Sequence, residues 1–149
     1  MKKLLYLVLV LGLFACSSDP KIENLNSEIG DIYEGGIVYS VNTGGGGMIV
    51  TMNDIGIGNW YQAGNMSENN STGGSNEWYL PSINQLQEIY DSVGQGGGNI
   101  AGFEHSKYWS STEGGGWGDF SWSLDFGTGE SIGYNHFNNA RVRAVRSFP

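Results

Sequence analysis

Hydrophobic positions along the chain fall into three patterns. Phe120, Trp122, Leu124 and Phe126 alternate with Ser121, Ser123 and Asp125. That period of two belongs to a strand with one face buried, so all four large residues are expected in the core. Ile83, Leu86, Ile89, Tyr90 and Val93 recur instead at helical spacing. Ser82 followed by Gln85 forms a capping box ahead of that stripe, and Gly94 supplies the stop. This is the one clear helix, and its continuous apolar face packs on a core. The third pattern is the short apolar run bounded by turn residues. Gly36–Val41 and Met48–Met52 flank the Gly-rich stretch 42–47 and predict a β-hairpin. Glu130–Tyr134 follows Gly127-Thr128-Gly129 as a return strand, and Arg141–Phe148 reads as a last strand. There Val142, Ala144 and Phe148 share one face and Val145 takes the other.

One helix, several short strands and long Gly- and Asn-rich loops make an α+β domain. The stretch from Asn53 to Glu77 lacks periodicity and carries Trp60-Tyr61 beside a polar tract, Asn69–Asn76. It reads as a long loop, which is either functional or a mobile insertion.

The N-terminus adds a different layer. Lys2 and Lys3 precede an apolar run from Leu4 to Phe14, too short for a bilayer span of about 20 residues but suited to a secretory signal. Leu13-Phe14-Ala15-Cys16 resembles a bacterial lipobox, although Phe14 departs from the small or β-branched residue usual there. The expected organisation is a signal peptide over 1–15, a polar tether over 16–30 after a lipidated Cys16, and a domain over 31–149. The alternative is a buried N-terminal helix with an incidental cysteine. Acyl chains contribute about 0.8 kcal/mol per buried methylene, so the partner of Cys16 is membrane lipid. The expected location is the bacterial cell envelope, at the outer membrane or cell surface rather than the inner membrane.

Charge and residue counts narrow the chemistry. The formal net charge is −8, and loss of Lys2 and Lys3 with the signal leaves −10. A surface of that sign repels phosphate backbones, so no nucleic-acid partner is expected. Cys16 is the only cysteine and there are two histidines, which exclude a disulfide framework and make structural zinc unexpected. No phosphate loop, nucleophile elbow or HExxH is present, so neither catalysis, cofactor nor metal is expected.

Aromatic and amide residues in loops remain as candidate ligand contacts. Trp117 sits in Glu113-Gly114-Gly115-Gly116-Trp117-Gly118-Asp119 with no apolar neighbour to share a buried face. It either lies at a ligand surface or folds back over the sheet. The same alternative applies to Tyr134-Asn135-His136-Phe137-Asn138-Asn139. The candidate site joins the 113–119 and 134–139 loops, with Trp117 and Tyr134 as stacking walls. Asp119, Asn135 and His136 are its polar contacts, and the ligand is a carbohydrate or a protein.

Several segments together resemble the Lcl C-terminal domain family of bacterial surface proteins. They are Leu80-Pro81-Ser82 with Leu86, Tyr108-Trp109-Ser110-Ser111-Thr112, Trp122 with Phe126-Gly127, and Val142-Arg143-Ala144-Val145-Arg146, with Gly35–Tyr39 as the opening strand. The resemblance covers about residues 30 to 149. It implies a C-type-lectin-like fold: a small twisted antiparallel sheet, one or two helices, a long loop region for ligand contacts, and first and last strands that pair. The Glu-Pro-Asn, Gln-Pro-Asp and Trp-Asn-Asp signatures of calcium-dependent lectins are missing, so calcium-mediated sugar binding does not carry over. Fold transfers more safely than ligand. The function implied is non-catalytic ligand binding or adhesion by a membrane-anchored lipoprotein. The alternatives are an envelope assembly component, or the variable receptor of a diversity-generating retroelement, whose target proteins end in a similar strand.

Overall fold

The computed structural model describes residues 27–116 and 118–149. The segments expected to be signal peptide (1–15) and tether, as far as residue 26 and including Cys16, lie outside the described residues, as does Trp117. Among the described residues, nine strands and two α-helices form an α+β domain. The order is β1 (Ile32–Tyr33), β2 (Gly36–Val41), β3 (Gly47–Thr51), β4 (Gly56–Gly58), α1 (Trp60–Glu68), α2 (Ile83–Ser92), β5 (Lys107–Glu113), β6 (Phe120–Asp125), β7 (Glu130–Asn135), β8 (Ala140–Val142) and β9 (Val145–Phe148). One sheet has the order β1-β2-β3-β9 and the other β4-β8-β5-β6-β7. Pairing is antiparallel except where β8 runs beside β5.

The expected hairpin is β2 and β3, with a register shift between Val38 and Ser40. The expected return strand is β7, in register with β6 from Phe120↔Asn135 to Asp125↔Glu130. The last strand pairs with β3, so the opening β1 and β2 lie on the far side of β3 from it. Helix α2 starts at the Ser82 capping box and buries Leu86 and Ile89. These join Tyr39, Val93, Phe103, Tyr108, Leu124 and Phe126 in the largest core cluster. A second cluster gathers Ala63, Leu80, Trp109, Ala140 and Val142 under α1.

Three expectations change. First, residues 53–77 are not one loop, because they contain β4 and α1, and the domain has two helices. Asn59 and Gln62 close a capping box at the start of α1, as Ser82 and Gln85 do for α2. Only Ala63 and Ser67 of α1 are buried, so the helix carries no apolar stripe to announce it.

Second, Phe120, Trp122, Leu124 and Phe126 do not share a buried face. Leu124 and Phe126 are core, but Phe120 is half-buried and Trp122 is 36% exposed. Ser121 and Ser123, expected outside, are fully buried. The sheet is covered on both sides, which relaxes the polar-out rule. Helix α2 packs on the Leu124 end of one face and stops short of Phe120 and Trp122. The serine hydroxyls on the other face are satisfied, Ser121 by His136 and Ser123 by donation to the Ile132 carbonyl.

Third, residues 141–148 are not one strand. The chain leaves the five-stranded sheet after Val142 and joins the other sheet at Val145. Arg143 sits at the crossing, buried, and explains the break. Its Nε donates to Asp54 Oδ1 at 2.9 Å, and its remaining nitrogens donate to the carbonyls of Thr51, Met52, Ala101 and Gly102. The guanidinium also lies 4.0 Å from the Phe103 ring centroid. Five hydrogen bonds, one of them to a carboxylate, compensate a buried charge that would otherwise be costly.

The YWSST segment gains a physical account as well. Tyr108 and Trp109 are buried on opposite faces of β5, and the strand then bulges between Trp109 and Glu113. The bulge turns Ser111 N–H toward the Pro81 carbonyl at 2.8 Å and lets the Thr112 hydroxyl accept from Ile83 N–H at 2.9 Å. Leu80-Pro81-Ser82 and the pentapeptide are therefore two sides of one junction.

Candidate functional site

Helix α1 is held to the sheet by its first turn. Trp60 N–H donates to the His136 carbonyl at 3.0 Å, and its indole Nε1 donates to the Ser110 carbonyl at 2.9 Å. The His136 ring stacks on Trp60 with centroids 4.5 Å apart and planes 14° from parallel. His136 is itself buried between two hydroxyls, Ser121 Oγ 2.8 Å from Nε2 and Tyr61 Oη 3.4 Å from Nδ1. Each hydroxyl can rotate to donate or accept, so both ring nitrogens have a partner.

Anchored in this way, α1 turns one stripe outward: Trp60, Tyr61, Gly64, Asn65 and Glu68. These positions recur at the i, i+4, i+8 spacing of a single helix face. Tyr79, Leu80, Ser111 and Glu113 form the facing wall. Tyr79 is fixed by reciprocal backbone bonds with Val145, and its hydroxyl accepts from Gln85 Nε2 at 3.0 Å. Between the walls lies a groove of about 560 Å³. The α1 wall, from Trp60 to Glu68, is roughly 12 Å long at 1.5 Å per residue.

The groove combines aromatic surface with placed polar groups. Tyr61 is 50% exposed and Tyr79 42%. Phe137, 67% exposed, extends the aromatic rim with its ring 6.4 Å from Tyr61. Glu68, Glu113 and Asn65 supply charge and hydrogen-bonding capacity, and no Lys or Arg among the described residues lines the groove. A depression of similar size lies between β2 and the outer face of α2, where Tyr39 is the one aromatic and is buried. A smaller one surrounds Asp54, whose carboxylate is already paired with Arg141 and Arg143.

The sequence-derived site residues are partly brought together. His136 N–H donates to the Asp119 carbonyl at 2.8 Å, and Asn135 pairs with Phe120, so the 113–119 and 134–139 segments do meet. Asp119 and Asn135 are exposed at this junction, and Asn135 Oδ1 accepts from Phe137 N–H. Tyr134 lies on the other face of the sheet, partly buried, with its ring 5.3 Å from Trp109 and Lys107 above it at 5.7 Å. His136 faces inward and positions α1. Trp60, Tyr61, Gly64, Asn65, Glu68 and Tyr79 were not among the sequence-derived candidates, and the Asn59–Gln62 capping pair was the signal that could have found the helix carrying five of them.

Ser121 and His136 at 2.8 Å have the spacing of a nucleophile and its base. Ser121 is fully buried, however, and the second imidazole nitrogen meets a tyrosine hydroxyl instead of an orienting carboxylate. Among the described residues no group of three His, Cys, Asp or Glu side chains is placed to hold a metal ion. No described helix is long and apolar enough to cross a membrane.

Comparison with known proteins finds a match to the family model described as Lcl C-terminal domain, over residues 36–146. The matched span holds both walls of the groove and both loops of the sequence-derived site. No curated protein matches the chain.

Proposed function

The chain belongs to the Lcl C-terminal domain family, and on that premise we propose that it is a lipid-anchored bacterial surface protein whose C-type-lectin-like domain binds a ligand without catalysis. Residues 13–16 support the anchor through the lipobox pattern ending at Cys16. The observation that carries the binding reading is the groove between α1 and the Tyr79–Glu113 wall. Ligand sites join apolar walls to a few fixed polar groups, and an extended aromatic groove flanked by carboxylates and an amide suits a saccharide chain. Asp119 and Asn135, both exposed, add polar groups near Phe137: Asn135 Oδ1 accepts from the Phe137 N–H, and the Asp119 carbonyl accepts from the His136 backbone N–H.

Binding on a glycan array and adhesion to glycan-coated surfaces test the reading. Tyr61→Ala is expected to abolish both while the protein stays folded, with a stability loss of about 1–3 kcal/mol, because half of the ring is already in water but its hydroxyl is a partner of the buried His136 ring. Retention of binding by that variant contradicts the groove assignment. Mass spectrometry of Cys16 from membrane fractions tests the anchor. A free thiol there contradicts it.

The alternative, an envelope assembly component, draws on the solvent-facing Phe120–Trp122 pair, whose rings meet edge to face at 6.4 Å. Stable self-association that is lost in Trp122→Ser would favour it.

A further inference from the structure

Resting on the groove as the ligand site, we infer that its ligand is cationic: a glycan bearing unacylated amino sugars, read by Glu68 and Glu113 against the aromatic walls. Three observations converge. The charged side chains lining the groove are both carboxylates. No cation of the described residues neutralises either one: the four ion pairs use Asp125, Asp54 twice and Glu34. A uronic or sulfated chain would therefore meet repulsion there, whereas an ammonium group gains a charge-assisted partner. Trp60, Tyr61 and Tyr79 present aromatic surface to the same space, and such surfaces attract both ammonium groups and the C–H faces of sugar rings.

Gly64 is a further, independent observation. It lies inside α1 with an ordinary helical backbone, where glycine weakens a helix by roughly 0.5–1 kcal/mol relative to alanine. Internal packing does not require it, because a Cβ placed there meets nothing within 4 Å. A bare backbone on the groove wall instead lets a ligand approach the helix closely. Asn65 beside it offers an amide able to bond ring hydroxyls.

The test titrates the protein with three β-1,4-linked trisaccharides of equal length: the glucosamine trimer, its fully N-acetylated counterpart, and cellotriose. Isothermal calorimetry at low and physiological salt is the readout. The glucosamine trimer is expected to bind at least about tenfold more tightly than either neutral trimer, with the advantage shrinking as salt rises. Glu68→Gln/Glu113→Gln is expected to remove that advantage, while Glu28→Gln/Glu130→Gln, which changes net charge equally but away from the groove, keeps it. Equal binding of the three trimers, abolished by Tyr61→Ala, overturns the cationic ligand but leaves the groove as the site. Preference for the amine that both double variants lose equally also overturns it, as attraction to overall charge. Absence of binding by all three overturns it outright, and an array signal from other glycans that Tyr61→Ala removes would then still uphold the groove.

Discussion

Replacing Gly64 by alanine should stabilise the protein and weaken its binding, an unusual pair of effects from one methyl group. Gly64 is interior to the nine-residue α1, and its backbone is not among the positive-φ glycines. Alanine is therefore free of strain and reduces the conformational freedom of the unfolded chain. The expected gain is roughly 0.5–1 kcal/mol, since the new Cβ has open space around it. For a domain of about 120 residues this raises the melting temperature by roughly 2–4 °C. Differential scanning calorimetry of the wild type and the variant measures it. The same methyl group projects into the groove, so trisaccharide affinity should fall, and Gly64→Leu should keep the helix while blocking binding. A lower melting temperature for Gly64→Ala would refute the open placement of this helix face. A higher one with affinity intact in both variants would refute the groove as the binding surface.

Other substitutions separate core from surface. Trp109→Ala should cost about 3–5 kcal/mol in chemical denaturation, because the indole is fully buried and donates to the Gly58 carbonyl. Trp122→Thr, two residues from the buried Leu124, should cost about 1 kcal/mol or less. Asp54→Ala should cost about 3–5 kcal/mol by leaving the buried Arg143 guanidinium uncompensated, and a loss below about 1 kcal/mol would contradict that account. Burial, followed by the neighbouring Asp54 charge, pushes the Tyr108 hydroxyl up to about 12, and burial also raises Tyr39. The unfolded chain then releases these protons first, so their contribution is complete below pH 10 and is lost as pH rises toward 12 and beyond. For Tyr108 the loss is roughly 2 kcal/mol at pH 12, and Tyr108→Phe should flatten an alkaline denaturation profile over that window.

What the sequence revealed was what local contacts determine. Helix α2 was legible because its capping box and its apolar stripe lie within a dozen residues. The β2–β3 hairpin and the β6–β7 pair were legible for the same reason. Helix α1 is not legible in the sequence because it is held by a stacked histidine 76 positions from Trp60 and by the distant Ser110 carbonyl, not by a stripe of its own. The exposure of Trp122 is not readable from alternation, which says which residues share a face and not how far α2 covers that face. The break at Arg143 depends on Asp54, 89 positions earlier in the chain. The candidate site suffered similarly. Two loops expected to meet do meet, but Tyr134 and His136 turn into the layer, and the surface they support is built from residues that read as a loop.

Amide chemical-shift mapping during titration with the glucosamine trimer tests the central claim most directly. The account predicts saturable shifts confined to Tyr61, Gly64, Asn65, Glu68, Tyr79 and Glu113, and their absence in Gly64→Leu. Shifts centred on Phe120 and Trp122, or none at all with a correctly folded spectrum, would contradict it.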